Sequence, residues 1–357
     1  MASSTRIKTR ILIISDTHGR QPHTKAPDDP DTDVEMATAD ILRIPTGYRS
    51  PLPEADVAIH CGDLTRRSSA PEFGATFSML RALRAPLKLV IAGNHDAVLD
   101  PPYWDPDGDE SDTETPQRVR EIIARARQDG VRYLAEGSYD FALRNGALLR
   151  VYASPYTPSY GRWAFQYDGA HDFAIPFGVD VAMTHGPPYG ILDNTASLAQ
   201  LMLGLPAKHA GCASLFRAVH RARPRIHCFG HIHEAWGSYL ATWKTDAEVS
   251  DCVPGHETVI NAAGSRLETL EGLKPTSRAD ELGMTEDKAR RLAQLSRQRG
   301  VHVDLTQGET RLEQGRQTLF VNAAIMDIRY RPTQLPWIVD IDLPKSGAQH
   351  AETAVVG

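Results

Sequence analysis

Cysteine is scarce in this sequence, with four cysteines among 357 residues. They are Cys61, Cys212, Cys228 and Cys252, and no two have the C-x-x-C spacing of many structural zinc and dithiol sites. Small secreted domains that depend on disulfides use far more cysteine, because they cannot bury enough apolar surface. A chain of this length with 41% hydrophobic residues can bury a large core. We therefore expect reduced thiols and a fold that needs no disulfide.

Long apolar runs are also missing. The run near the N-terminus, Ile11–Ile14, has four residues, whereas a membrane-spanning helix needs about 20. It is also too short for the apolar region of a secretory signal. We therefore expect a cytoplasmic protein that does not contact a membrane.

Positive charge is not in excess. The chain has 39 Lys and Arg against 45 Asp and Glu, which gives a net charge of −6. Long nucleic acids are bound mainly by Lys and Arg side chains that neutralise their phosphates. The composition therefore disfavours a nucleic-acid polymer as partner and is compatible with a small phosphate ester. It does not indicate an oligomeric state.

Apolar runs that end in a polar residue recur along the chain. Each run is short and typical of a buried strand. Helical patterns occur at 72–84, 115–129 and 285–299. The alternation of strands and helices predicts an α/β fold, in which ligands bind at the carboxyl ends of the strands. The runs are Ile11–Ser15, Val57–Cys61, Leu87–Ala92, Val179–Thr184 and Arg225–Phe229.

The chain is expected to form a single domain at 1–345, followed by a flexible tail at 346–357. Inserts are predicted at about 20–56, 100–116 and 240–317. The first two are polar and proline-rich, which favours surface loops, and the third, with its helical pattern at 285–299, is expected to form a lid or subdomain. Two similar segments, Val259–Ala263 within the third insert and Phe320–Ala324 just after it, could each be the strand that follows the last polar motif.

The polar residues at the ends of these runs could be metal ligands. Residues two apart face the same way in an extended chain, so Asp16 and His18 could bind one ion. The same argument applies to His231 and His233. Asp63 has two carboxylate oxygens and could bridge two ions. Each pattern is weak by itself, because a turn aspartate, a helix cap or a packed histidine explains it equally well.

The order of the motifs is much more specific than any one of them. They are Asp16-x-His18, Gly62-Asp63, Gly93-Asn-His-Asp96, Thr184-His-Gly186 and Gly230-His-x-His233. This order resembles the calcineurin-like metallophosphoesterase superfamily over residues 9–236, with a weaker similarity to about 330. The resemblance implies a β-sandwich of two mixed sheets flanked by helices, with the metal site at the carboxyl ends of the strands.

Two shorter sequence segments indicate a narrower group within this superfamily. His60–Thr65 and Ser154–Pro158 are similar to the metallophosphoesterase-domain-containing group, which includes class III cyclic-nucleotide phosphodiesterase-like enzymes. Arg66 stands where protein phosphatases of the superfamily have an aspartate, which argues against close kinship with them. Asp96 is expected to cap or orient its loop rather than to bind metal.

The resemblance also implies two divalent or trivalent metal ions. Mixed nitrogen and oxygen ligands suit Mn, Fe or Zn better than Ca²⁺, and the sequence does not identify the metals further. Asp63 is expected to bridge both ions. The first ion is assigned to Asp16, His18, Asp63 and His233, and the second to Asp63, Asn94, His185 and His231.

The function implied by this resemblance is hydrolysis of a small phosphodiester, such as a cyclic or linear nucleotide, by a metal-bridging hydroxide. His95 is expected to protonate the leaving group, with contact to the substrate phosphate as its alternative role. Asn94 and Arg66 are further candidates for contacting the phosphate. A phosphomonoesterase acting on a small metabolite, a nuclease and a catalytically silent scaffold with the same fold stay open as alternatives.

Other residues near the motifs have simpler explanations. The aromatic run Tyr156–Tyr167 could stack on a nucleobase or pack against the edge of a sheet. Buried packing accounts for His209, His227 and Cys228. Of these, His227 is the least secure, because a regular strand would point it towards the site.

Overall fold

The computed structural model describes residues 6–24, 47–104, 114–195, 208–244, 259–261, 265–273 and 285–347. The three predicted inserts and the predicted tail therefore fall only partly within, or outside, the described residues. Outside them lie residues 25–46 of the first insert, 105–113 of the second, and 245–258, 262–264 and 274–284 of the third. Residues 348–357 of the predicted tail also lie outside.

The described residues form strands and helices in alternation. The strands are β1 Arg6–Ile14, β2 Val57–His60, β3 Leu87–Val90, β4 Val131–Tyr133, β5 Gly137–Ala142, β6 Leu148–Ser154, β7 Thr157–Pro158, β8 Gln166–Tyr167, β9 Val181–Thr184, β10 Ile226–Phe229, β11 Gly237–Thr242, β12 Ser265–Thr269, β13 Val301–Asp304, β14 Gln317–Asn322 and β15 Trp337–Pro344. The helices are α1 Ala70–Ala82, α2 Glu114–Ala126, α3 Ala213–Ala222, α4 Leu270–Leu273 and α5 Thr285–Gln298. The three predicted helices are confirmed as α1, α2 and α5. None of the described helices combines the length and the apolar character needed to cross a membrane.

Most of these strands form two mixed sheets. One has the order β13-β15-β1-β2-β3-β4 and the other β12-β11-β14-β10-β9-β6-β5. In the first, β1 is parallel to β2 and antiparallel to β15. In the second, β10 is parallel to β9 and β14, and β11 is antiparallel to β14. The predicted fold class, two mixed sheets flanked by helices, is confirmed.

The alternation of side chains along β1 explains how the layers pack. Ile11 and Ile13 face the core between the two sheets, whereas Leu12 and Ile14 pack with Phe77 of α1 on the outer face. Both faces are buried at Ile11–Ile14, so this part of the strand is continuously apolar rather than alternating. On the outer face of the second sheet, α3 packs in the same way.

The strand that follows the last polar motif differs from the prediction. It is β11, at Gly237–Thr242, which neither of the two similar segments contains. Ile260 only forms an isolated bridge with Trp243, and Phe320 belongs to β14, between β10 and β11. The sequence of β11 is rich in small and polar residues, so its strand character depends on pairing, with Tyr239 opposite Phe320.

The described parts of the third insert are built into both sheets. β12 is the edge strand of the seven-stranded sheet, and β13 is the edge strand of the six-stranded sheet. Leu292 and Leu295 of α5 pack with Val301 of β13 in the core between the sheets. This segment therefore contributes to the apolar core as well as to the surface.

Candidate metal centre

Five loops meet at the carboxyl ends of strands from both sheets. The loops after β1, β2 and β3 come from the six-stranded sheet, and those after β9 and β10 from the seven-stranded sheet. Parallel pairing places the ends of neighbouring strands side by side, with Ile14 opposite His60. The predicted ligands follow these ends and come together in one site. They are Asp16, His18, Asp63, Asn94, His185, His231 and His233; all are buried except His231, which is partly exposed.

One cluster of candidate ligands joins the two sheets. It consists of Asp16, His18 and His233, whose ligand atoms all lie within 4.8 Å of one another. His233 Nε2 is 3.5 Å from Asp16 Oδ1 and 3.4 Å from His18 Nε2. Asp16 also accepts a hydrogen bond from the His231 backbone N–H, at 3.0 Å. A carboxylate and an imidazole from the loop after β1 and an imidazole from the loop after β10 thus face one point.

A second cluster lies beside the first. Asp63, His185 and His231 present ligand atoms within 4.8 Å of one another. The amide oxygen of Asn94 lies 2.9 Å from His185 Nε2, so it faces the same place. These are the residues that the resemblance assigns to the second ion.

Asp63 lies between the two clusters and faces both. Its Oδ2 atom is 3.6 Å from His18 Nε2, and its Oδ1 atom is 3.4 Å from His185 Nε2. One oxygen therefore points towards each cluster. This is the arrangement expected of a carboxylate that bridges two ions.

Backbone carbonyl groups orient three of the histidines. A carbonyl oxygen only accepts hydrogen bonds, so a ring nitrogen beside it must carry the proton. In His18, His185 and His233 that nitrogen is Nδ1, so Nε2 is the nitrogen directed into the site. The acceptors are the carbonyl oxygens of Thr65, Cys61 and Asp327, at 2.8, 2.9 and 3.1 Å.

The backbone around the site is locally strained. Asp16, His18, Asp63 and His231 all have left-handed conformations, with φ between 45° and 66°. Such conformations cost free energy for residues other than glycine and persist where the surrounding structure imposes them. Space is also tight, because a Cβ atom on Gly230 would collide with the Asp16 carboxylate. A glycine is therefore needed where β10 leads into the histidine motif.

Burial sets the protonation of the ligands in the metal-free protein. It lowers the pKa of His18 to about 4, although Asp63 and Asp16 oppose this. It likewise lowers the pKa of His231 to about 3, and the neighbouring His185 acts in the same direction. Both rings are therefore neutral at pH 7, as metal ligands must be.

His233 behaves differently from the other ligands. Burial alone would lower its pKa, but the hydrogen bond and charge of Asp16 outweigh that effect and raise the pKa to about 9. In the metal-free protein at pH 7, His233 is therefore protonated and paired with the Asp16 carboxylate. A metal ion that binds here must displace that proton.

His95 lies at the edge of the two clusters. Its Nδ1 atom is 2.9 Å from the Arg66 carbonyl oxygen, so Nε2 is directed towards the site and lies 3.4 Å from the Tyr330 hydroxyl. The ring is 4.9 Å from His18 and 4.5 Å from Trp163. It is partly exposed, which is compatible with contact to a substrate.

Arg66 lies at the entrance rather than beside the ligands. Its guanidinium group is exposed and lies 4.6 Å above the ring of Tyr330. A cation held against an aromatic ring in this way has a defined position. It could meet the phosphate of an incoming ester.

Asp96 orients its loop, as the sequence predicts. Its buried carboxylate accepts hydrogen bonds from the backbone N–H groups of Leu64, Thr65 and Gly93, at 2.8 to 3.0 Å. Burial and the negative charge of Asp63 raise its pKa to about 7. Asp96 thus joins the loop after β2 to the loop after β3, so that Asp63 and Asn94 keep a fixed spacing.

The other histidines near the motifs pack elsewhere. His227 is buried, and its Nε2 atom is 2.9 Å from the Thr184 hydroxyl. His209 pairs with Asp193 at 2.7 Å. Neither belongs to a group of potential metal ligands among the described residues. The structure therefore supports buried packing for His227, whereas His209 is exposed, so the prediction of buried packing is wrong for it.

The aromatic run is partly buried and partly exposed. Tyr156 packs against Phe165, which is buried, and this part covers the edge of the sheet. Tyr160 and Trp163 are 56% and 39% exposed, and Tyr160 lies 5.4 Å from His231. These two side chains therefore border the entrance to the site.

Sequence analysis missed the contribution of the loop after β14. Tyr330 lies over His18 and His233, at centroid distances of 4.9 and 5.5 Å, and the Asp327 carbonyl oxygen orients His233. The Asp327 carboxylate accepts hydrogen bonds from the Arg329 and Arg331 N–H groups, at 2.8 and 3.0 Å. No motif marks this loop, so no local signal could have predicted its place beside the metal ligands.

The described residues fit two metal ions. Two buried carboxylates and an amide oxygen supply hard ligands, and histidines with a free Nε2 supply nitrogen. Cysteine sulfur is absent from both clusters, unlike in many structural zinc sites. The family comparison points the same way: the model of the calcineurin-like phosphoesterase family matches residues 9–235, well over half of the chain. The chain belongs to this family.

Individual relatives agree with the family match. The chain is 28% identical to metallophosphoesterase domain-containing protein 1 of Homo sapiens, a similarity that covers 70% of this chain and 68% of the relative. It is 32% identical to probable rhamnogalacturonate lyase C of Emericella nidulans over 66% of this chain, but it spans only 18% of that protein. A purple acid phosphatase from yellow lupin (Lupinus luteus) is 12% identical, with a TM-score of 0.31 over 68% of this chain and 40% of the phosphatase, values too low to support an argument.

The bridging position of Asp63 can be tested by metal analysis. Replacing it with Asn removes the charge between the clusters, so we expect the metal content after reconstitution to fall from about two ions per chain to fewer than one. Inductively coupled plasma mass spectrometry measures this content. Asp304→Asn is the matched control, because Asp304 pairs with Lys8 on the surface. A variant at Asp63 that keeps two ions would contradict the assignment.

The protonation of His233 predicts a proton released on metal binding. Its pKa of about 9 means that the ring is charged below that pH, so metal affinity should rise as the pH increases towards 9. At pH 7 to 8, titration calorimetry of the metal-free protein with Mn²⁺ in buffers of different ionisation enthalpy should detect release of about one proton per chain. Heats that do not depend on the buffer would show that His233 is already neutral.

Proposed function

We propose that this chain is a phosphoesterase that uses two metal ions to hydrolyse small phosphodiesters. The observation that carries the proposal is the position of Asp63, whose two carboxylate oxygens face different ligand clusters. Family membership supports hydrolysis of a phosphate ester as the reaction. The substrate and the preference for diesters are part of the proposal.

The side chains divide the work of binding and orientation. When bound, two metal ions would supply charge neutralisation at the phosphate and activation of water near neutral pH. Asp16, His18 and His233 would hold one ion, and Asn94, His185 and His231 the other, with Asp63 between them. Hydrogen bonds to backbone carbonyls fix the direction of three of the imidazoles, so little reorganisation is needed when substrate binds.

His95 is proposed as the general acid. Hydrolysis forms a bond between water oxygen and phosphorus and breaks the ester bond, so the departing oxygen needs a proton if it is strongly basic. The Nε2 atom of His95 faces the site, because Nδ1 is engaged with the Arg66 carbonyl oxygen. An imidazole that carries a proton on that nitrogen can donate it to the departing oxygen. Asn94 and Arg66 are proposed to contact the phosphate oxygens.

A diester is proposed over a monoester because of the charge at the entrance. Among the described residues, Arg66 is the cation that lies over an aromatic ring there, that of Tyr330, and the single charge of a diester suits it better than the double charge of a monoester dianion. The exposed rings of Tyr160 and Trp163 suit a substrate with a planar group, such as a nucleotide.

A cytoplasmic location of the protein stays a prediction.

Two model substrates separate the candidate activities. With Mn²⁺ bound, we expect the protein to hydrolyse bis(p-nitrophenyl) phosphate with a higher kcat/KM than p-nitrophenyl phosphate. A preference for p-nitrophenyl phosphate would favour a phosphomonoesterase. Absence of both activities with Mn²⁺, Fe²⁺ and Zn²⁺, in protein shown to contain metal, would support a catalytically silent scaffold instead.

The role of His95 predicts a dependence on the leaving group. His95→Gln should lower kcat by about 10²- to 10⁴-fold for a diester with an alkyl alcohol as leaving group. The loss should be much smaller for p-nitrophenolate, which leaves without protonation. An equal loss for both substrates would indicate that His95 binds the phosphate. His302→Gln is the matched control, since His302 is exposed and pairs with Asp340 on β15. The metal content of both variants should equal that of the wild type.

A further inference from the structure

A cavity of about 200 Å³ lies at the end of the two sheets opposite the metal centre. β1 begins at Arg6 beside this cavity and ends at Ile14 near the metal ligands, and a strand of this length spans about 30 Å. Arg225 also lines the cavity and directly precedes β10, whose other end leads to the candidate ligands His231 and His233. The walls therefore come from both sheets and from the loop between β13 and β14.

Positive charge dominates the lining of the cavity. Arg6, Arg225 and Arg311 line it together with one carboxylate, that of Asp342. Arg225 is buried, with its side chain 7% exposed, and pairs with Asp180 at 3.0 Å. When Asp180 is counted together with Asp342, three arginine cations still face only two carboxylates.

Two of the guanidinium groups share a single neutral acceptor. Arg6 Nη2 and Arg225 Nη2 lie 3.1 and 2.6 Å from the same amide oxygen, that of Gln314. Burial lowers the pKa of Arg225, and the positive charge of Arg6 adds to the lowering, whereas Asp180 and Asp342 oppose it. The acceptor that the two like charges share is thus neutral. An anion at this place would stabilise both.

Arg311 supplies a third cation. Its side chain is exposed and, among the residues that the structure describes, it has no hydrogen bond or ion pair. The apolar side chains of Leu305, Leu312 and Ile341 complete the walls. The guanidinium groups are therefore the main donors available to a ligand.

We propose that this cavity is a second binding site, which takes a phosphate-type oxyanion between Arg6, Arg225 and Arg311. Guanidinium groups present paired N–H donors that match the oxygens of phosphate, and such charge-assisted hydrogen bonds are strong. The volume is below the roughly 300–1,000 Å³ of sites for drug-sized ligands, so the ligand is inorganic phosphate or the phosphate group of a small ester. The site does not depend on the activity proposed for the metal centre.

Phosphate binding to the metal-loaded protein tests this site. Equilibrium dialysis with radiolabelled inorganic phosphate should give about two bound phosphates per chain, one at the metal centre and one in the cavity. The double variant Arg6→Ala/Arg311→Ala should lose the cavity component, with affinity about 10- to 100-fold weaker. Asp63→Asn should lose the metal-centre component and keep the cavity component.

The control variant carries the same change of charge on another face. Arg81→Ala/Arg125→Ala replaces two exposed arginines and should bind phosphate as the wild type does. Exposed arginines are replaced rather than Arg225, because loss of the buried ion pair with Asp180 would disturb the fold. Unchanged circular dichroism and Tm of the double variant show that the fold is intact.

The outcomes separate the two sources of phosphate and the failure of the proposal. If methylphosphonate displaces the radiolabelled phosphate from the cavity, the site admits a substituted phosphate group. If unlabelled inorganic phosphate displaces it and methylphosphonate does not, the site is specific for the free ion. If Arg6→Ala/Arg311→Ala binds as much phosphate as the wild type, or if Asp63→Asn binds none, the cavity is not an anion site. If the wild type binds phosphate in the cavity but not at the metal centre, that result would count against the proposed function and not against the cavity site.

Discussion

The buried carboxylate of Asp63 is the feature on which the rest of the site depends. Asp63 and Asp16 are 2% and 0% exposed, and two carboxylates in one enclosed site repel each other and lose hydration. Protonated His233 offsets part of this charge in the metal-free protein, and bound cations would offset it fully. The fold must therefore hold loops from two sheets around a small volume, although this arrangement is unfavourable without cations.

Backbone groups maintain that arrangement. Carbonyl oxygens after β2 and β14 fix the imidazoles of His18, His185 and His233, and the Asp96 carboxylate links two of the loops. Left-handed conformations at four of the candidate ligands show how closely the loops are constrained. Because each ligand side chain is already held in place, metal or substrate binding requires less reorganisation.

The two ends of the parallel strands have opposite chemistry. Carboxylates and imidazoles collect at the carboxyl ends and form the candidate metal centre, whereas arginines collect at the other end around a small cavity. The first arrangement follows the general rule for ligand sites in α/β sheets. The second depends on how the ends of the two sheets pack, which brings Arg6 of β1 close to Arg225 before β10. A phosphate ester and a phosphate anion could thus bind about 30 Å apart, along the length of β1.

The sequence by itself determined the strands that carry the motifs and the helices α1, α2 and α5, and its resemblance to the family indicated the candidate metal ligands. The strands follow from local patterns, because they are apolar runs buried on both faces that end in polar residues. Tertiary structure alone decided the rest. Tyr330 meets His95 from 235 positions away, β11 is a strand because it pairs with β14, and Gln314 joins Arg6 to Arg225. Such contacts depend on how the two sheets pack and which loops cross between them, and no short segment of sequence encodes that information.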